Sequence, residues 1–157
     1  MPISRTVHAN LSLAEIADRL ALRELVDAYA HCADRRDLDG QLSLFTADAE
    51  LLLIDDRSAK PPQQFNGRES LRPLFENLNT YETTTHFNGQ STVWWEAVRA
   101  SGVVNCLAHL VKLEGSRRTL TISSIRYLDQ FVKLDDRWYF KQRKAVLDWT
   151  DNRPLNG

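Results

Sequence analysis

Apolar residues recur at helical spacing in the first half of the chain and in β-branched and aromatic runs in the second, with the change near Thr83. Ser12 followed by Glu15 has the form of a capping box, and Ile16, Leu20 and Leu25 with Ala28 or Tyr29 continue at near-helical intervals. This predicts a long first helix to about residue 32. Residues 33–39 form a polar, charged turn in which Asp37 can cap a short second helix carrying Leu38, Leu42 and Phe45 on one side. Asp34 then falls at a helix–helix corner. Residues 50–54 read as a short strand and 55–62, with charges, Ser58 and two prolines, as an exposed loop. Residues 67–79 turn helical again, with Leu71, Leu74, Phe75 and Leu78 facing inward.

Turn-like pieces near Glu96, at 114–118 and at 134–137 divide the rest into four long strands, about 83–95, 100–113, 119–133 and 138–149. Connections this short favour antiparallel neighbours, because a parallel return needs a crossover of about a dozen residues. Helices first and a meander last predict an α+β fold in one domain, with its core over about 12–149 and short flexible termini, including a tail at 151–157.

Alternation along the first long strand puts His86, Asn88 and Gln90 on one face. Such a row is either a solvated surface or the polar lining of a pocket. Phe87, Gly89, Ser91 and Val93 on the other face make a poor core stripe, so periodicity alone leaves both readings open.

Composition narrows the function. The 157 residues carry 20 Lys plus Arg against 21 Asp plus Glu, a net charge of −1, which leaves no field to attract nucleic acid. Cys32 and Cys106 fall inside predicted elements and read as reduced core thiols. No stretch approaches a membrane span and the start has no leader-like pattern, so the expected location is the cytoplasm. HExxH, CxxC, phosphate-loop and GxSxG patterns are all missing, and neither metal nor cofactor is expected.

The segment from Tyr29 through Asp34 to Asp37, with Leu44-Phe45 and Asp48-Ala49 after it, strongly resembles the start of SnoaL-like domains of the NTF2-like superfamily. Gly67, Thr85-His86-Phe87-Asn88, Arg126-Tyr127, Trp138 and Arg143 stand where that pattern has similar residues. The resemblance implies a cone-shaped α+β barrel, its N-terminal helices packed on a strongly curved mixed or antiparallel sheet. It is nearest the branch of scytalone dehydratase, bile-acid dehydratase and hexachlorocyclohexane dehydrochlorinase. These are cofactor-independent lyases that work with an aspartate–histidine pair, which maps onto Asp34 and His86.

That pairing suits proton transfer at carbon. A neutral imidazole titrates near the operating pH, and a carboxylate on its other nitrogen fixes the tautomer and stabilises the imidazolium. His86 is the candidate base and Asp34 its partner. Tyr29 matches the place of the pocket tyrosine of the dehydratases and could donate a hydrogen bond where negative charge grows. Asn88, His109, Arg143 and Trp149 are candidate substrate contacts: Asn88 shares the His86 face, His109 is a core or second pocket histidine, and Trp149 suits a pocket rim. Arg143 either binds an anionic group or pairs with an acid of the first helices. His31 points away from Tyr29 and reads as a surface side chain. The expected activity is a dehydratase-like lyase or isomerase acting on a small, hydrophobic, cyclic molecule. The alternative is a non-catalytic small-molecule binder or assembly subunit, as in ring-hydroxylating dioxygenase β-subunits. From the resemblance, a homodimer or homotrimer is expected.

Overall fold

Ser12 starts the first helix as its spacing predicts, its hydroxyl accepting the Glu15 N–H at 3.2 Å. In the computed structural model, which describes residues 10–155, this helix, α1 (Leu13–Arg35), runs a turn beyond the expected end. It stops where Arg36 enters the left-handed region at φ 60° and its N–H returns to the carbonyls of Cys32 and Ala33. Asp34 therefore belongs to the last turn of α1, where the helix holds its carboxylate in place. Leu22, Leu25, Val26, Ala30 and Ala33 form the buried stripe.

Asp37 caps α2 (Leu38–Ser43) by accepting the Gly40 N–H at 2.9 Å. Phe45, expected on that helix, instead opens β1 (Phe45–Asp55), which is longer than the expected 50–54. A short strand that the pattern did not suggest, β2 (Gln63–Asn66), pairs antiparallel with β1. The expected third helix is broken into a 3₁₀ turn (Arg68–Leu71), a short α3 (Arg72–Glu76) and a second 3₁₀ turn (Asn77–Thr80). Pro73 contributes to the break, since it has no N–H to give to the preceding turn. Leu71 and Phe75 still point into the core.

The long strands are β3 (Thr83–Glu96), β4 (Arg99–Glu114), β5 (Arg117–Leu134) and β6 (Arg137–Pro154). β6 absorbs most of the expected C-terminal tail. Leu155 follows it, and residues 156–157 and 1–9 lie outside the described residues. Sheet order is β2-β1-β6-β5-β4-β3. The meander β3 to β6 is antiparallel as expected, but β1 joins β6 in parallel, so the sheet is mixed. It curls around α1 without closing, giving the cone-shaped α+β fold.

Register defines rows across the inner face of the sheet. From the mouth of the cone inward they run His86/Ala108/Ser123/Thr150, then Asn88/Cys106/Ile125/Leu147, then Val104/Tyr127/Ala145/Leu53. Below these lie Val93/Gly102/Asp129/Arg143/Leu51 and finally Trp95/Ala100/Phe131/Phe140/Phe45. A bulge between Asn88 and Ser91 brings both His86 and Val93 onto this face although they are seven residues apart. Polar groups thus gather at the mouth and aromatic rings at the apex, where Phe45 and Phe140 stack at 5.0 Å and Phe131 and Phe140 at 5.3 Å.

One ion pair is set into this core. Arg143 Nε and Nη2 donate to the two oxygens of Asp129 at 2.8 and 2.7 Å, and both side chains are 0% exposed. The guanidinium also lies 4.1–4.2 Å from the ring centroids of Tyr29, Tyr127 and Phe140. Burial alone would lower the Arg143 pKa, but the Asp129 carboxylate outweighs it and holds the group charged. Asp18, on α1, accepts from Lys133 Nζ at 2.8 Å and Trp138 Nε1 at 2.9 Å, tying the helix to the β5–β6 hairpin.

Replacing Arg143 alone with Met should leave the Asp129 charge buried without a partner and cost about 3–5 kcal/mol. Replacing both, Asp129→Leu with Arg143→Met, should recover at least half of that loss. Urea unfolding of the three proteins checks the expectation, which equal destabilisation of the single and double variants would contradict.

Candidate active site

β3 is an edge strand, so part of its backbone has no neighbouring strand to bond. α1 lies along that edge and supplies partners. Arg23 Nη1 donates to Gly89 O at 3.1 Å, and Asn88 Nδ2 donates to Val26 O at 3.3 Å and to Asp27 Oδ1 at 3.1 Å. The closest meeting is at Asp34. Its Oδ2 accepts the backbone N–H of His86 at 2.8 Å, and its Oδ1 accepts from His86 Nδ1 at 2.7 Å. Thr84, two residues earlier on the same face, donates its hydroxyl to Oδ1 at 3.0 Å and accepts from Arg36 Nη1 at 2.7 Å.

This arrangement favours one tautomer of the ring. An ionised carboxylate only accepts, so Nδ1 carries the hydrogen and Nε2 of a neutral His86 has its lone pair free. Burial pushes the Asp34 carboxyl up, but the His86 side chain, the His86 N–H and Thr84 outweigh it and hold the carboxyl below the usual carboxylate range. The side chains of His86 and Asp34 are 9% and 23% exposed, so the pair is largely shielded from water. It can act as a proton acceptor of fixed orientation.

On the same inner face, toward β1 and β6 and lined by neither member of the pair, lies a cavity of about 460 Å³. Leu53, Ile125, Ala145 and Leu147 give it an apolar wall, and Ser123 and Gln63 are among its polar groups. Ser123 stands in the His86 row with only Ala108 between them, a separation of roughly 10 Å across two strand spacings. A larger cavity of about 490 Å³ lies elsewhere, near the β3–β4 turn among Trp94, Arg99, Ser101 and Gln130, away from the dyad.

The other candidate residues separate. Tyr29 is packed edge-on against Phe45, Phe75, Tyr127 and Phe140 at 5.8–6.0 Å, with Arg143 over its ring. Burial pushes its phenol up, which keeps it protonated and able to donate. Arg143 shares this cluster, but its partner is Asp129 on β5 and not an acid of the first helices. Asn88 faces inward like His86, yet its amide hydrogens are committed to α1. His109 is in register with Thr85, on the opposite face from His86, so it does not join the dyad. Trp149 pairs with Ser124, is 47% exposed and lines neither cavity, because the bulge between Ser124 and Ile125 turns it to the outer face. His31 is exposed, as expected. Cys32 and Cys106 are both buried free thiols, and burial pushes Cys106 up to about 11.

Three contributors escaped the reading of the sequence: Thr84, Arg36 and Asp129. Thr84 could have been found as the next inward position before His86, and Asp129 as an acid alternating with Tyr127 and Phe131. Arg36 had no signal beyond its place in a charged turn. Among the described residues no three His, Cys, Asp or Glu side chains gather as a metal site, and no helix is long and apolar enough to cross a membrane.

Comparison with known proteins follows this geometry. An uncharacterized protein of Mycobacterium tuberculosis is 30% identical over 138 residues, covering 85% of this chain and 87% of that protein. The crystal structure of a scytalone-dehydratase-like protein from Novosphingobium aromaticivorans superposes with a TM-score of 0.74 at 20% identity, covering 90% of this chain and 91% of that one. That of hexachlorocyclohexane dehydrochlorinase from Novosphingobium barchaimii superposes with a TM-score of 0.72 at 19% identity, covering 90% and 92%. At such identities the structural likeness speaks for the fold. The model of the SnoaL-like domain matches residues 14–144, and on that match the chain belongs to the SnoaL-like family.

Proposed function

We propose that this protein is a cofactor-independent lyase or isomerase of the dehydratase kind, with His86 as general base and Asp34 as its orienting partner. The observation that carries this reading is the 2.7 Å contact between Asp34 Oδ1 and His86 Nδ1, which leaves Nε2 free. Nε2 takes a proton from a carbon next to an activating group, and the C–H electron pair becomes a double bond. The bond to a leaving group breaks, and the imidazolium returns its proton to that group or, in an isomerisation, to another carbon. Asp34 offsets the positive charge that builds on the ring, and Tyr29 donates toward the oxygen that gains negative charge. The 460 Å³ hollow on the same inner face falls in the range of small-molecule sites, and its apolar wall suits a small hydrophobic, cyclic substrate. The dehydratase and dehydrochlorinase described above support the same class of reaction.

A second reading concerns assembly. Phe87, Leu107, Ser124 and Trp149 form one row across four strands on the outer face, and the three large residues are 66%, 39% and 47% exposed. Three exposed apolar side chains in one row, interrupted at Ser124, favour burial against a second copy, which supports a homodimer or homotrimer as the active form.

His86→Ala should lower kcat at least 10³-fold on any substrate found by screening cyclic alcohols, ketones and halides, with unfolding temperature within a few degrees of wild type. Full activity in this variant would remove His86 as base. Asp34→Asn should lower both rate and stability. Because the folded Asp34 pKa is depressed, its stabilising effect is present above about pH 4 and is lost as pH falls through the folded value. The stability gap between wild type and Asp34→Asn, measured by urea unfolding, should therefore be present at about pH 5 and close as the pH falls below about 4. A gap that persists undiminished at about pH 2 would contradict the pairing. Phe87→Asp should shift the protein to monomer in light scattering, and an unchanged mass would remove the outer row as the interface.

A further inference from the structure

The 460 Å³ hollow has two charged residues in its lining, Asp55 and Lys60, and they are not equivalent. Asp55 is answered by Arg57, whose Nε and Nη2 donate to its two oxygens at 3.0 and 3.2 Å. Lys60 has no carboxylate within ion-pair distance among the described residues. The loop that carries it is strapped to the sheet by Arg126, which reaches Asp56 at 3.4 Å, and by Arg57 Nη1, which reaches Thr150 Oγ1 at 3.2 Å, and within the loop the Lys60 N–H donates to Ser58 Oγ at 3.1 Å. An exposed lysine thus lines the β1 side of an apolar cavity whose opposite wall includes Ser123, and in the sheet register Ala108 stands between Ser123 and His86. Four strand spacings separate β1 from β3, about 19 Å along the sheet and less across its curve.

From this placement the geometry points to a substrate with an apolar body and an anionic group at one end, the anion held by Lys60 while the body lies along Leu53, Ile125, Ala145 and Leu147 toward the base. The inference rests on the reading of this hollow as the substrate site, and it adds the charge and length of what enters. A neutral molecule small enough to sit only beside His86 would leave Lys60 without work in recognition. Carboxylate, sulfonate and phosphate share the chemistry that a single ammonium recognises.

The test is a fluorescence titration with 1-anilinonaphthalene-8-sulfonate and with N-phenyl-1-naphthylamine, which has the same rings and no sulfonate. Wild type should bind the sulfonate more tightly than the neutral probe. Lys60→Glu should weaken the sulfonate about tenfold and leave the neutral probe unchanged. Lys144→Glu, on the outer side of β6, should change neither and controls for net charge. Equal loss of both probes in Lys60→Glu would mean that the loop only covers the cavity, and equal loss of the sulfonate in both lysine variants would mean only long-range attraction. Either outcome, or no effect of Lys60→Glu, overturns the inference. His86→Ala should bind both probes as wild type does, so failure of the base assignment shows in turnover and failure of anion recognition shows in these titrations.

Discussion

Everything that makes this cone a candidate catalyst depends on one carboxylate gripping an edge strand at two points. Asp34 takes the N–H and the ring of the same histidine, and a third hydrogen bond from Thr84 completes its shell. Each hydrogen bond to a charged acceptor is worth about 1.5–3 kcal/mol, and together they offset the cost of placing a carboxylate where water is scarce. One of these bonds also satisfies a backbone N–H on the exposed edge of the sheet. Site and scaffold are therefore not separable here, since the contact that orients the imidazole also joins the last turn of α1 to β3.

Inward from that contact the cone changes character. Its mouth row carries His86, Ser123 and Thr150, and its apex carries Phe45, Phe131 and Phe140. Between them the Asp129–Arg143 pair sits under three aromatic rings, a charged plug in an apolar funnel. Planar guanidinium suits this position because its edge serves the carboxylate while its faces meet the rings. The result is a floor that is rigid and polarised, on which Tyr29 keeps its proton.

Much of this was legible in the chain. The capping serine, the change from helical to alternating texture and the short turns specify the element order, because each is a local signal. The resemblance around Tyr29, Asp34 and His86 located the dyad, which alternation alone left open. What escaped depends on contacts between distant segments. The parallel β1–β6 pair and the little β2 strand follow from how the sheet curls, and no local pattern encodes that. In the sequence Trp149 suits a pocket rim, but an irregularity in β6 reverses its face. Arg143 was recognisable as important, while its partner Asp129 could be chosen from the many acids only once register set the two side by side.

The bulge between Asn88 and Ser91 gives β3 two independent phases. Ahead of it, the parity of the strand is tuned to the dyad; behind it, Val93 and Trp95 keep step with the hydrophobic apex. A length change confined to one side could be absorbed at this irregularity without rotating the other side out of the cone. Divergence within such a lineage can therefore reshape the mouth of the vessel while its base stays intact.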